Sequence, residues 1–75
     1  MRRAGTVVRT AQGLAVVRSP DEAHPDIGTG LVDERLDAAG RVVDVIGPTD
    51  RPYLVVDPAD ETDPAALLDA KLYVR

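Results

Sequence analysis

Residues 40–56 read GRVVDVIGPTDRPYLVV, and this stretch decides the fold. Gly40 precedes a run of mostly β-branched residues over Arg41–Ile46, and a second apolar run covers Tyr53–Asp57. β-branched side chains favour strands over helices. Gly47–Pro48 opens the segment between the two runs, and both residue types are typical of turns. The stretch therefore predicts two strands joined by a turn-rich loop.

Four other short apolar runs are bounded by Gly, Pro or Asp in the same way. They predict strands at about Arg3–Thr10, Leu14–Arg18, Thr29–Asp33 and Lys71–Val74. Asp63 before Pro64 is a typical helix start, so we expect one helical turn in the segment PAALLD. Six short strands favour a barrel because closure removes exposed strand edges. The sequence therefore predicts one all-β domain over residues 1–75, a small six-stranded closed or partly open barrel.

Valine dominates the strands, with eleven copies. Its pairs are Val7-Val8, Val16-Val17, Val42-Val43 and Val55-Val56. Neighbours in a strand point to opposite faces, so these pairs predict apolar side chains outside the barrel as well as inside it. An exposed apolar patch on so small a domain marks a protein partner. The alternative is that bulges and the PAALLD segment cover the outer side chains.

The orientation of the fourth strand stays open at this point. Strict alternation places Val43 and Val45 on one face with Gly47. Val42 then shares the other face with Asp44 and Ile46. One bulge would exchange Val42 and Val43.

The composition excludes several classes of protein. The chain has no Cys, which rules out disulfides, thiol catalysis and zinc ribbons. Its longest apolar run is four residues, far short of the roughly 20 needed to span a membrane. Ten Asp, eight Arg and a single Lys, with a net charge of -4, suggest a salt-adapted host. We therefore expect a soluble cytoplasmic protein.

Two acidic groups are candidates for metal binding, one around the single histidine and one after the fifth strand. Their members are His24 with Asp21, Glu22 and Asp26, and Asp57 with Asp60, Glu61 and Asp63. Zinc normally takes several His or Cys ligands, and the second group lacks the spacing of a calcium-binding EF-hand loop. Both groups are typical of solvated loops, and we expect no metal and no cofactor.

Asp44 is an acid in the middle of an apolar strand. It could be catalytic, but no second acid, base or nucleophile has a clear place beside it. We favour an outward-facing Asp44 that pairs with an arginine of this chain or of a partner.

Seven of the eight arginines are candidates for nucleic-acid binding. They are Arg2, Arg3, Arg9, Arg18, Arg41, Arg51 and Arg75. Phosphate contacts need clustered cations, and base stacking needs aromatic side chains. These arginines are dispersed among aspartates, and the chain has only two tyrosines. We expect most of them to be salt-bridging surface residues.

The central stretch resembles the Gar family, the small glycine/arginine-rich-protein subunits of H/ACA ribonucleoproteins. The family pattern is a Gly, a strand with an internal acid, Gly-Pro, and a Tyr that opens the next strand. The matching residues are Gly40, Asp44, Gly47, Pro48, Pro52 and Tyr53. The start GTVVRTAQGLAVVR looks like the family's first hairpin, and the end LLDAKLYVR is similar to its closing strand. In lacking Gly/Arg-rich tails, the chain is similar to archaeal members.

Three positions depart from the family pattern. Ile46 stands where Phe or Leu is common, and Thr49 replaces an aliphatic residue. Asp69 stands where Gly is expected. The first two affect the apolar contact, and the third affects the geometry of the last turn.

The resemblance implies a barrel of the translation-factor-domain type and a non-enzymatic role. Members dock on the catalytic domain of the guide-dependent pseudouridine synthase, the dyskerin homologue, and contact guide RNA only indirectly. They hold a mobile synthase loop open, which helps substrate RNA load and product leave during rRNA pseudouridylation. We accordingly expect a monomer when isolated, with no membrane association.

The apolar excess and the resemblance together predict a partner-binding face. Its centre comprises Ile46, Gly47, Pro48, Thr49, Pro52 and Tyr53, with Val42 and Asp44 beside it. Two other interpretations remain. PRC-barrel proteins of the ribosome-maturation type also carry a Gly-x-Val-Val-Asp-Val strand, and that class predicts self-association or a ribosomal partner. An autonomous RNA-binding barrel is the third.

Overall fold

The computed structural model describes residues 2–20 and 23–75, which form six strands and one 3-10 turn. The strands are β1 (Arg2–Ala11), β2 (Leu14–Arg18), β3 (Gly30–Val32), β4 (Ala38–Ile46), β5 (Tyr53–Pro58) and β6 (Lys71–Val74), and the 3-10 turn covers Pro64–Leu67. The predicted bounds of β2 and β6 are confirmed. The fourth strand begins at Ala38 rather than Arg41, and β1, with ten residues, is the longest strand. No helix in the described ranges has the length and apolarity needed to cross a membrane.

The strands close into a barrel in the order β1-β2-β5-β4-β3-β6. Every neighbouring pair is antiparallel. Closure pairs the first strand with the last, so each strand has a hydrogen-bonded neighbour on both sides. The predicted all-β fold with a closed six-stranded barrel is confirmed.

The core fills the inside of the barrel with small and aliphatic side chains. Its buried members are Ala4, Val7, Ala15, Val17, Leu31, Ala39, Val42, Leu54, Val56, Leu67 and Leu72. Each strand contributes side chains from its inner face, and bulges in β1 and β4 interrupt the period-2 alternation there. Leu67 reaches this cluster from the 3-10 turn, which begins where Asp63 accepts a hydrogen bond from the Ala65 N–H at 3.0 Å.

Two bulges determine which valine of a pair faces inward. On β1, Val7 pairs with Val17 and Arg9 with Val16, so Val8 is the extra residue. On β4, Val42 pairs with Val56 and Asp44 with Val55, so Val43 is the extra residue. In each of these two pairs, the first valine enters the core and the bulged valine is exposed.

Strict alternation is therefore wrong for β4. Val42 lies in the core, and Val45 packs against it from a half-buried position. Val43, Asp44 and Ile46 are exposed. The cause is the bulge, which adds a residue and reverses the alternation beyond it.

Asp69 adopts a φ of +68°. This is the position where the family resemblance leads one to expect Gly, and a left-handed conformation explains that expectation. Asp is among the few other residue types that tolerate it. The Asp69 N–H donates to the Val7 carbonyl at 2.9 Å, so the turn leads directly into the pairing of β1 with β6.

Candidate partner-binding surface

The outward side chains of four adjacent strands form rows across the barrel. In one row, Arg9 of β1 pairs with Val16 of β2, Val16 with Val55 of β5, and Val55 with Asp44 of β4. Cross-strand neighbours in such a row are close enough for their side chains to touch. The row therefore presents two valines between a cation and an acid.

A second row runs parallel to the first at the end of the β4–β5 hairpin where the loop joins the two strands. Thr6 pairs with Arg18, Arg18 with Tyr53, and Tyr53 with Ile46. Together the two rows and the bulged valines carry six of the apolar side chains that lie outside the barrel. We call these six the outer surface: Val8, Val16, Val43, Ile46, Tyr53 and Val55.

The outer surface is accessible to a partner. Val8 is 44% exposed, Val43 42% and Ile46 44%, while the other three members are half-buried. A groove of about 380 Å³ runs over it between Val8, Val16 and Tyr53. The alternative in which bulges and the PAALLD segment cover this face is wrong, because the bulges expose valine and Leu67 enters the core.

The loop between β4 and β5 is fixed at both ends. Gly47 has a φ of +88°, and a Cβ at this position would lie 2.9 Å from Cδ2 of Tyr53. At the other end, the buried Pro52 accepts a hydrogen bond from the Ser19 N–H through its carbonyl, at 3.0 Å. Pro48 and Thr49 project between these two anchors and are exposed.

Two of the eight predicted site residues do not lie on the accessible face. Val42 has no exposed surface, because the bulge at Val43 turns it into the core. Pro52 is buried, because its carbonyl is held against the end of β2. Both residues support the face from behind. Ile46, Gly47, Pro48, Thr49 and Tyr53 lie together at the end of the hairpin, with Asp44 two residues along β4.

Asp44 faces outward, and its carboxylate accepts a hydrogen bond from the N–H of Val45 at 2.8 Å. This contact to its own strand fixes the carboxylate beside the outer surface. Arg9 is the cation of the same row, but two strands separate it from Asp44. The position leaves the carboxylate accessible to a partner's cation.

His24 and Asp63, one from each of the two acidic groups, make local contacts. His24 Nδ1 lies 2.9 Å from the carbonyl of Pro25, and Asp63 caps the 3-10 turn. Asp21 and Glu22 lie outside the described residues. Among the residues that the structure does describe, no group of three or more His, Asp or Glu side chains is placed to hold a metal ion.

Three of the arginines that are dispersed along the sequence line the same cleft. Arg3, Arg18 and Arg51 surround this cleft of about 260 Å³, which lies beside the outer surface. Sequence reasoning missed this cluster, because the three residues are far apart in the chain. Only the placement of β2 between β1 and β5 brings them together.

No protein-family model matches the chain, and a search of curated proteins finds no match.

Proposed function

We propose that this chain is a non-catalytic subunit that binds a partner protein through the outer surface. The observation that carries the proposal is that apolar side chains lie outside a barrel whose core is already filled. Val8, Val43 and Ile46 are exposed and do not belong to the buried core of the barrel. Exposed apolar residues grouped on one face of a small domain are typical of protein interfaces.

The proposed partner is the catalytic domain of the guide-dependent pseudouridine synthase of an H/ACA ribonucleoprotein. The support for this identity is the resemblance of residues 40–56 to the Gar family. The accessible residues of that pattern lie at the outer surface, beside it or in the neighbouring loop; they are Asp44, Gly47, Pro48 and Tyr53. The buried Pro52 and the close-packed Gly40 hold this segment in place.

The geometry suits a surface that selects one state of a mobile segment. Gly47 and Pro52 anchor the loop before any partner arrives, so Pro48 and Ile46 lose little conformational freedom on binding. Such a surface acts by binding one state of a synthase loop more tightly than the other. A tenfold preference for the open state, about 1.4 kcal/mol, would raise the open fraction by the same factor where it is small.

A paired set of variants tests the docking face. Ile46→Asp with Pro48→Asp puts two charges into the centre of the proposed interface. Leu36→Asp with Leu68→Asp makes the same change at leucines that are 46% and 51% exposed elsewhere on the barrel. Both variants should keep the circular dichroism spectrum of a β-barrel, because all four residues are exposed.

We expect the first variant to lose about 100-fold or more in affinity for the synthase of the same organism, since buried unpaired charges are costly. The leucine variant should bind like the parent. Equal affinity of the two variants would contradict the assignment of the face. In multiple-turnover pseudouridylation, the parent should accelerate product release, and the variant with Ile46→Asp and Pro48→Asp should not.

The same preparation separates the other two interpretations. Sedimentation of the isolated chain as a dimer would favour the PRC-barrel class. Guide-RNA affinity that falls steeply with salt would favour an RNA-binding barrel. A monomer that binds the synthase and not the RNA is the result that the proposal requires.

A further inference from the structure

The arginine cleft, lined by Arg3, Arg18 and Arg51, is a concentration of positive charge on an acidic chain. Arg3 lies on β1, Arg18 ends β2, and Arg51 belongs to the loop before β5. The hydrogen bond between the Ser19 N–H and the Pro52 carbonyl holds that loop against the end of β2. This contact keeps Arg51 at the cleft that Arg3 and Arg18 also line.

No carboxylate is among the described residues that line the cleft. Three cations that share one small space repel each other, and an anion between them would offset that repulsion. A guanidinium group presents two parallel N–H donors, which match the two oxygens of a carboxylate. The cleft is therefore suited to a compact anionic group.

The cleft is continuous with the outer surface. Val8 lines both the cleft and the apolar groove. Arg18 is the cross-strand neighbour of Tyr53, whose ring forms part of that groove. A protein that covers the outer surface must therefore pass over the mouth of the cleft.

We infer that the arginine cleft receives one or two Asp or Glu side chains from the protein that covers the outer surface. This inference rests on the proposed function for the partner, though the chemistry of the cleft stands without it. Interfaces are enriched in Arg, and complementary charge beside an apolar centre fixes the orientation of the two proteins.

RNA phosphate is the competing anion, and the surroundings of the cleft disfavour it. Single-stranded RNA binds along extended positive grooves with aromatic side chains for stacking. The groove beside the cleft offers a single aromatic ring, that of Tyr53, which is half-buried. Asp44 flanks the outer surface, and Asp50 is exposed in the loop. An RNA strand that crosses the surface would meet these acids, whereas a short acidic protein segment need not extend that far.

The test uses a cleft variant and a matched control. The cleft variant is Arg3→Gln, Arg18→Gln and Arg51→Gln. The control is Arg35→Gln, Lys71→Gln and Arg75→Gln, which removes the same charge at exposed positions outside the cleft. Both are checked for the circular dichroism spectrum of the parent, at the lowest salt that preserves it.

Two probes identify the anion by backbone amide shifts on the labelled chain. Hexaglutamate peptide supplies carboxylates, and hexauridylate supplies phosphates. We expect hexaglutamate to shift the amides of Gly5, Thr6 and Ser19, and to lose about tenfold in affinity in the cleft variant only. Hexauridylate that binds these residues as tightly as the peptide would overturn the inference in favour of phosphate, and no shift from either probe would also overturn it.

Binding to the synthase separates this inference from the proposed function. A cleft variant that loses about tenfold in synthase affinity, with an unaffected control, supports both. Equal synthase affinity in the two variants overturns the cleft assignment and leaves the docking face standing. If the parent does not bind the synthase but hexaglutamate still maps to the cleft, the proposed partner is wrong and the carboxylate site is retained.

Discussion

Gly47 and Tyr53 fit against each other so closely that a Cβ on Gly47 would stand 2.9 Å from Cδ2 of the Tyr53 ring. Real Cβ atoms essentially never come so close to a neighbour. The φ of +88° at Gly47 adds a second reason for glycine. The pair explains why a glycine and a tyrosine six residues apart belong to one structural unit. The ring orientation, and with it the shape of the outer surface, depends on the absence of a side chain at position 47.

Gly47→Ala therefore tests two effects, strain and displacement of the ring. Gly28→Ala is the matched control, because Gly28 has a φ of +96° and nothing within 4 Å of the added Cβ. We expect Gly28→Ala to lose about 1 kcal/mol from backbone strain alone, and Gly47→Ala to lose about 2–3 kcal/mol. Denaturant unfolding measures both. Equal losses in the free energy of unfolding would show that the Tyr53 ring moves aside for a Cβ at position 47 without cost.

The bulge on β4 predicts opposite outcomes for two adjacent valines. Val42→Ala should lose about 2 kcal/mol of stability, because it empties part of the core. Val43→Ala should lose less than about 0.5 kcal/mol, because the side chain is exposed. The comparison is made by chemical unfolding of the two variants. A larger loss for Val43 would mean that the register of β4 is shifted by one residue.

Gly40 packs closely against the backbone of β5. A Cβ there would overlap the carbonyl oxygen of Asp57 and would come within 2.8 Å of Cγ1 of Val56. We expect Gly40→Ala to lose about 3 kcal/mol, because the overlap involves backbone that cannot turn aside. Gly30→Ala on the neighbouring strand β3 is the control, since nothing lies within 4 Å of its added Cβ. Its unfolding midpoint should stay within a few degrees of the parent's.

Three non-glycine residues, Gln12, Leu36 and Asp69, hold left-handed conformations at exposed positions. Leu36 and Asp69 both have a φ of +68°. Leu36→Gly should stabilise the barrel by about 1 kcal/mol, because leucine is strained in this region. Asp69→Gly should gain less, because aspartate tolerates the conformation better. Thermal unfolding should therefore show a larger rise in the unfolding midpoint for Leu36→Gly than for Asp69→Gly. A lower midpoint in either variant would contradict the inference that its left-handed backbone is strained.

Local patterns in the sequence were sufficient for most of the fold. The valine runs gave the strands, the Asp63–Pro64 pair gave the 3-10 turn, and the paired valines gave apolar side chains outside the barrel. Bulges are harder to predict from sequence. The extra residue at Val43 is determined by the pairing of β4 with β5 and has no local sequence signature. That is why the inward position of Val42 could not be deduced.

The same distinction between local patterns and long-range contacts applies to the candidate surface. Ile46 and Tyr53 could be placed together because a hairpin joins them directly. The burial of Pro52 depends on Ser19, which follows β2 and lies far away in the chain. The meeting of Arg3, Arg18 and Arg51 likewise depends on strand order. Contacts of this kind require the topology, which a single sequence does not specify locally. The identity of the partner still rests on resemblance and remains a prediction.

The pairing of β3 with β6 is a short one among the strand pairings that close the barrel. β3 and β6 pair at Leu31–Val74 and Val32–Tyr73, whereas β4 and β5 pair along most of their length. A thermal fluctuation that parts β3 from β6 would turn the barrel into an open sheet with two unpaired margins, β3 and β6, in which apolar residues predominate. Such margins recruit strands from other molecules. The rate at which the pairing of β3 with β6 opens should therefore govern how readily this protein aggregates. Amide hydrogens of Leu31 and Val32 should exchange with solvent sooner than those of Leu54 and Val56.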